Sequence, residues 1–326
     1  MKKLIIALLC CIFVWAGGNV ALASNYPNRP VTLIVPWAAG GAGSIAAQLF
    51  AAHAEKHLGQ NILVVNRPGA SGITGSTSVW NAPADGYTIL HVRPGSHAIN
   101  PAFQGDKMPY DWTKFTYLGM YELTPFVYVV RKDSPIMTMK DLEAAIRANP
   151  GKLRYSHSGP LTTNALGAQL FNFINDLPVN ATIGVPFNSD GEAKIALLGG
   201  HVDYMGVPLG GVMDQILADT VRPLALITFE PIEGLENVPT VEEAGYPALM
   251  NIGGFTGLCA PPGTPKEVVD KWRTVFQEVG KNPEWIAATR RMGHIPAIKT
   301  PEELNAYIAE QIELYEKVFA ALRKEQ

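Results

Sequence analysis

The sequence predicts a two-domain α/β protein shaped like a clamshell, with a ligand caught in the crevice between the domains. Three observations carry that expectation. Strands alternate with helices along the chain. The pattern appears twice, once on each side of a segment near Tyr121 to Pro125. In each half, a loop rich in Gly or Ser joins a strand to the start of a helix. Ligands of open α/β sheets bind outside the carboxyl ends of the strands, so two such domains face to face would hold a ligand between them. A chain of 326 residues suits about two domains of ordinary size. With 47% hydrophobic and 17% charged residues it can bury a large core.

The first 23 residues read as a secretory signal peptide. Lys2 and Lys3 form a positive start, Leu4 to Trp15 an apolar run, and Ala21-Leu22-Ala23 the small residues of a cleavage site. Cleavage after Ala23 would remove two of the 26 basic residues and none of the 29 acidic ones, making the exported chain more acidic than the net −3 of the whole. A nucleic-acid partner is therefore not expected, since such partners select basic faces. Three cysteines do not make a disulfide scaffold or a four-thiolate zinc site. The last of them, Cys259, lies in an apolar run and reads as a small buried hydrophobe.

Val31 to Pro36 is a buried strand, and Ser44 opens a helix to about Leu58 with Ile45, Leu49 and Ala52 on one face. Ile62 to Val65 is the next strand, followed by the turn-rich Asn66 to Gly72 and a small-residue helix near Ile73 to Asn81. Asp85-Gly86 turns into the strand Tyr87 to Val92. The alternation argues for parallel sheets with helices on both faces. In the second half, strands are expected at Phe126 to Arg131, Leu153 to Ser156, Ile183 to Pro186, Val202 to Val207 and Leu224 to Thr228. Helices are expected from a capping box at Thr138 and Asp141 to Ala148, from Thr163 to Asn175, and from Gly191 to Leu198. The last hundred or so residues read as mostly helical. They hold a strand at Phe255 to Ala260, capping boxes at Thr240/Glu243, Thr264/Glu267 and Thr300/Glu303, and helices near Pro265 to Gly280, Pro283 to Met292 and Pro301 to Arg323. The expected division is residues 24–124 with 229–326 as one discontinuous domain and 125–228 as the other.

Candidate ligand contacts follow from the loops. In Ala39-Gly-Gly-Ala-Gly-Ser44, the glycines let backbone approach a ligand, and free N–H groups at the helix start favour an anion. This singles out Gly41, Ala42, Gly43 and Ser44. Ser158, Gly159, Thr162 and Thr163 occupy the matching place in the second half, with hydroxyls beside a helix start. Arg93 follows a strand end and suits a carboxylate. Trp37 and Phe255 lie at strand ends and could wall a pocket. No Gly-x-Ser-x-Gly elbow accompanies His157, Ser158 and Asp203, so hydrolase chemistry is not expected. No catalytic residue, metal or cofactor is implied.

Several runs carry a family resemblance: Tyr26-Pro-Asn-Arg-Pro30, Ile34-Val-Pro-Trp-Ala-Ala-Gly-Gly41, Val65-Asn-Arg-Pro-Gly-Ala70, Pro83-Ala-Asp-Gly-Tyr-Thr88 and Ala98-Ile-Asn-Pro101. Pro150-Gly-Lys-Leu-Arg-Tyr155, Gly199-Gly-His-Val-Asp203, Asn237-Val-Pro-Thr-Val-Glu-Glu-Ala-Gly245 and Ala260-Pro-Pro-Gly-Thr-Pro265 follow in order. With these, nearly the whole exported chain resembles the solute-binding proteins of tripartite tricarboxylate transporters, the Bug family. The resemblance implies a periplasmic-binding-protein clamshell of type II-like form. It also implies a periplasmic monomer that takes a small di- or tricarboxylate or aromatic acid and hands it to transporter membrane subunits. A component that presents its ligand to a signalling receptor is the alternative.

The chain departs from the family pattern at the site. Relatives usually carry Thr and Asp where Gly43 and Ser44 stand, a small polar residue in place of Arg93, and an Asp in place of Val207. The second loop matches at Ser158, Gly159 and Thr162, but has Pro160 and Leu161 between. Two acids lost and an arginine gained imply a more cationic, more apolar cleft, suited to an aromatic or medium-chain dicarboxylate.

Overall fold

The computed structural model describes residues 26–178 and 180–323; the signal-peptide expectation at 1–23 lies outside the described residues. The first sheet contains β1 (Val31–Val35), β2 (Ile62–Asn66), β3 (Thr88–Val92), β4 (Thr116–Thr124), β10 (Gly254–Ala260) and β11 (Ile295–Lys299), in the order β11-β4-β10-β3-β1-β2. The second contains β5 (Phe126–Arg131), β6 (Arg154–His157), β7 (Ile183–Pro186), β8 (Tyr204–Pro208) and β9 (Val221–Ile227), in the order β7-β6-β8-β5-β9. Helices α1 (Ala42–Leu58), α2 (Ile73–Trp80), α3 (Asn100–Gln104), α8 (Lys266–Gly280), α9 (Pro283–Arg291) and α10 (Pro301–Arg323) belong to the first lobe. Helices α4 (Met139–Ala148), α5 (Thr163–Ile174), α6 (Asp190–Leu198) and α7 (Met213–Leu217) belong to the second.

Both sheets are mixed, where the alternation of elements predicts parallel ones. β1, β2 and β3 pair in parallel, as do β6, β7 and β8. β10 runs antiparallel to β3 and β4, β11 to β4, and β5 to both β8 and β9. β10 and β5 are the strands by which the chain enters one lobe from the other, so no helical crossover within the lobe sets their direction, and each runs against both of its neighbours. β4 and β11 are strands that the sequence reading does not contain. β4 takes in Tyr121 to Thr124, so the chain passes between lobes at Pro125 alone, with Phe126 already in β5.

On the return, the second lobe keeps its hold beyond residue 228. Val241 N–H donates to Leu226 O, Leu226 N–H donates to Pro239 O, and the Tyr246 hydroxyl donates to Glu143 of α4. The chain rejoins the first sheet at Gly254.

Alternation along the strands puts core on both faces. Val31, Leu33 and Val35 face α1 and α8, with Phe50, Trp272 and Phe276. Ile34, Leu90 and Cys259 face the other way, toward Leu304 and Ile308 of α10. In the second sheet Val127, Val129 and Met205 face α6 and α7, while Tyr128 and Tyr204 face Leu142 of α4 and Leu166 of α5.

α1 starts at Ala42, earlier than Ser44, and buries Ala46, Ala47, Phe50, Ala51, Ala54 and Leu58. Ile45, on the expected apolar face, is 38% exposed; the small alanine face lets the helix lie close to the sheet, which a stripe of larger residues would hold off. The box at Thr138 and Asp141 forms in both directions, and that at Thr300 and Glu303 forms too. Thr240 and Glu243 make their pair in a turn with no helix behind it. Thr264 instead donates its hydroxyl to Pro261 O, and α8 starts from Pro265 with no side-chain cap. Among the described residues, no helix is long and apolar enough to cross a membrane.

Candidate ligand-binding cleft

The carboxyl ends of β1 and β3 in one lobe, and of β6, β7 and β8 in the other, point at a common cavity. Trp37, Gly41, Gly43, Ser44, Arg93, Pro94 and Gly95 line it from the first lobe. Ser158, Thr162, Thr163, Asn164, Asp190 and Pro208 line it from the second. Its volume is about 30 Å³, room for about two waters or the head of a small ligand.

Asn66, at the end of β2, ties the first loop down by donating its amide to Trp37 O at 2.7 Å and to Ser44 Oγ at 3.2 Å. Gly41 caps α1 without a side chain, and the first turn holds no acid. Unspent N–H groups and the positive end of a 17-residue helix therefore face the cavity, an arrangement that favours an anion.

Arg93 follows β3 and is only 6% exposed, and its Nη1 has no hydrogen-bond partner. Gly43 makes its place: a Cβ there would lie 3.1 Å from Arg93 Cδ. His91 beneath it donates or accepts a bond with Tyr121 at 3.1 Å. Burial, then the Arg93 charge, pushes the His91 pKa well down, so this imidazole is neutral and Arg93 carries the local positive charge. Directly after Arg93, Gly95–Ile99 winds as a π-helical turn, a widened geometry that recurs at functional sites.

The second lobe contributes three chain segments. α5 is entered at Thr162 without a side-chain cap, because the Thr162 hydroxyl donates instead to Gly159 O at 2.8 Å and stiffens the loop. α6 starts at Asp190, whose carboxylate accepts from Asn164 Nδ2 at 3.2 Å, with Ser158 lining the same cavity. Burial raises the Asp190 pKa, while Arg93, Ser158 and Asn164 pull against that rise.

The lobes touch at both lips. Ala38 N–H donates to Asn188 O at 3.2 Å. Leu161 N–H donates to Ser71 Oγ at 3.2 Å, and Asn100 Nδ2 donates to Leu161 O at 3.4 Å. Gly191 and Gly40 meet so closely that a Cβ on Gly191 would lie 2.6 Å from Gly40 O. This is a closed cleft, and a ligand larger than the cavity enters only if the lobes part.

Of the residues read from the sequence, Trp37, Gly41, Gly43, Ser44, Arg93, Ser158, Thr162 and Thr163 meet at the cavity. Ala42 is buried behind it, and Gly159 packs on Ser71 at the lip. Phe255 does not wall the cleft. It is wholly buried in the first lobe, edge-on to Tyr307 of α10, because its place in β10 turns it to the same face as Cys259. His157 and Ser158 lie at one end of β6, whereas Asp203 holds the N–H of Arg154 at the other, so these three do not converge.

Asn164 and Asp190 are the polar residues that the reading missed. Asp190 corrects the expectation of a more cationic cleft, since it sets an acid opposite Arg93. Its position was open to inference: Ser189-Asp190 follows a strand and begins a helix, the same grammar as the two loops that were singled out.

Residues 45–323 match the TctC family, described as the tripartite tricarboxylate transporter family receptor. BugT of Bordetella pertussis is 29% identical over 93% of this chain and 92% of its own length. Among solved structures, an R. palustris protein with adipate superposes with a TM-score of 0.86 at 30% identity, covering 91% of this chain and 98% of that one. MatC from Rhodopseudomonas palustris with bound malate gives 0.83 at 28%, covering 90% and 99%.

Proposed function

The chain belongs to the tripartite tricarboxylate transporter receptor family, and from that premise we propose that it is a periplasmic receptor. In this reading it captures a small carboxylate between its lobes and delivers it to the membrane subunits of such a transporter. The observation that carries the reading is the unpaired Nη1 of the buried Arg93, set in a cavity that also receives the uncapped starts of α1 and α5. A buried guanidinium without a partner is costly, and a carboxylate is the partner whose geometry matches its fork.

Binding needs no covalent step. A carboxylate at Arg93 gains charge-assisted hydrogen bonds in a site from which water is excluded. Lip contacts from Ala38 to Asn188 and from Ser71 to Leu161 hold the lobes over it. Relatives solved with malate and with adipate support a carboxylate as the ligand here.

A thermal-shift screen of the exported chain against mono-, di- and tricarboxylates, amino acids and aromatic acids tests this. The expected result is a concentration-dependent rise in Tm with at least one carboxylate. Arg93→Gln should weaken that ligand by roughly ten- to a hundredfold, the worth of a charge-assisted bond. No response to any carboxylate would overturn the reading.

A further inference from the structure

The placement of Arg93 and Asp190 on opposite lobes of one cavity narrows the ligand's chemistry. We propose that the ligand is a zwitterion, whose carboxylate meets Arg93 of the first lobe and whose ammonium meets Asp190 of the second. This rests on the carboxylate reading above and deepens it.

Arg93 and Asp190 line the same cavity, and among the described residues no ion pair joins them, so each retains capacity for a ligand between them. Arg93 is 6% exposed with Nη1 unpartnered. The Asp190 carboxylate takes one bond from Asn164, and an ionised carboxylate has about four acceptor sites, so places remain for a donor.

The other titratable groups nearby do not change the balance. His91 is buried and neutral under Arg93, and Lys194, one turn along α6 from Asp190, is partly exposed. The cleft therefore presents one cationic and one anionic side chain on opposite lobes, beside the positive starts of α1 and α5.

A dicarboxylate would bring two negative charges to this pair and set one of them against Asp190. Like charges at short range in a site of low dielectric are strongly disfavoured. A zwitterion leaves the assembly neutral, each charge meeting its opposite, which is the arrangement that costs least to bury. The small cavity, about 30 Å³, also suits charges only a few bonds apart.

Calorimetric titration of the exported chain tests the proposal, using the common amino acids, each beside its hydroxy-acid and deaminated analogue, together with succinate and adipate. An amino acid should bind at least tenfold more tightly than the analogue in which hydroxyl or hydrogen replaces its ammonium. Asp190→Asn keeps the side chain's shape and one acceptor oxygen for Asn164 while removing the charge. It should abolish that preference and bring the dicarboxylates closer to the amino acid in affinity.

Tighter binding of a dicarboxylate or a hydroxy acid to the unaltered protein would overturn this inference and leave the carboxylate reading standing. So would an amino acid whose preference over its analogues survives in Asp190→Asn. Silence across the whole panel would instead overturn the carboxylate reading, and this inference with it. Circular dichroism of Asp190→Asn shows that the variant is folded, and Asp190→Glu, which restores the charge, should recover part of the preference.

Discussion

A Cβ at Gly43 would lie 3.2 Å from both Arg93 Nη1 and His91 Nε2, so the absence of a side chain there is what seats the guanidinium. Gly43→Ala should push Arg93 from its place and weaken carboxylate binding. In calorimetry, adding it to Arg93→Gln should cost little more than Arg93→Gln alone, because the two changes act on the same contact. A second residue-scale effect comes from His97, which is wholly buried beside Tyr110 and Phe115. Burial pushes its pKa from 6.5 down to about 3. Between those values the unfolded chain binds a proton at this residue and the native protein does not. Stability therefore falls as pH drops below 6.5, by about 1.4 kcal/mol per pH unit for each such histidine. His97→Gln should flatten the dependence of Tm on pH between 6 and 4, even if it lowers Tm throughout. These side-chain environments were not legible in the sequence, where histidines and glycines look alike whether buried or exposed.

Among the elements, local signals were reliable where the chain alone satisfies them. Thr138 and Asp141 exchange bonds within four residues, and α4 forms where the pattern places it. Thr138→Ala should lower stability to urea by about 1 kcal/mol and leave ligand affinity unchanged, since α4 does not line the cavity. Thr264 carries the same signature but spends its hydroxyl on Pro261 O, because a turn just upstream offers a nearer acceptor. β4 and β11 escaped the reading for a different reason. β11 is a short strand between two helices, and its place is set by pairing with β4, while β4 is set by pairing with β10 and β11, all distant in sequence. The apolar face of α1 was misjudged because alanines, weak as a hydrophobic signal, form the packed surface while Ile45 faces out.

For the molecule as a whole, the proposed capture of a ligand depends on two lobes meeting. The lobes approach backbone to backbone at Gly191 and Gly40, where a Cβ on Gly191 would also lie 2.9 Å from Gly40 C. Gly191→Ala should wedge the lips apart without touching either core. Its expected signature is weaker binding of whatever carboxylate the unaltered protein takes. In small-angle scattering, the ligand-saturated variant should keep a larger radius of gyration than the ligand-saturated parent. Equal compaction of the two would show that closure tolerates the wedge.

The sequence by itself determined the two-lobed α/β architecture, the family and most of the cleft loops. Strand–loop–helix periodicity, glycines at strand ends and the ordered runs shared with relatives are all properties of short, contiguous stretches. Only the tertiary structure decided the charge of the cleft and who faces whom within it. Arg93 and Asp190 lie 97 positions apart in the chain, and their meeting depends on the closure of one lobe over the other. The same is true of Phe255, whose side chain was claimed by the core because the face it presents was fixed by strand pairing across more than a hundred residues.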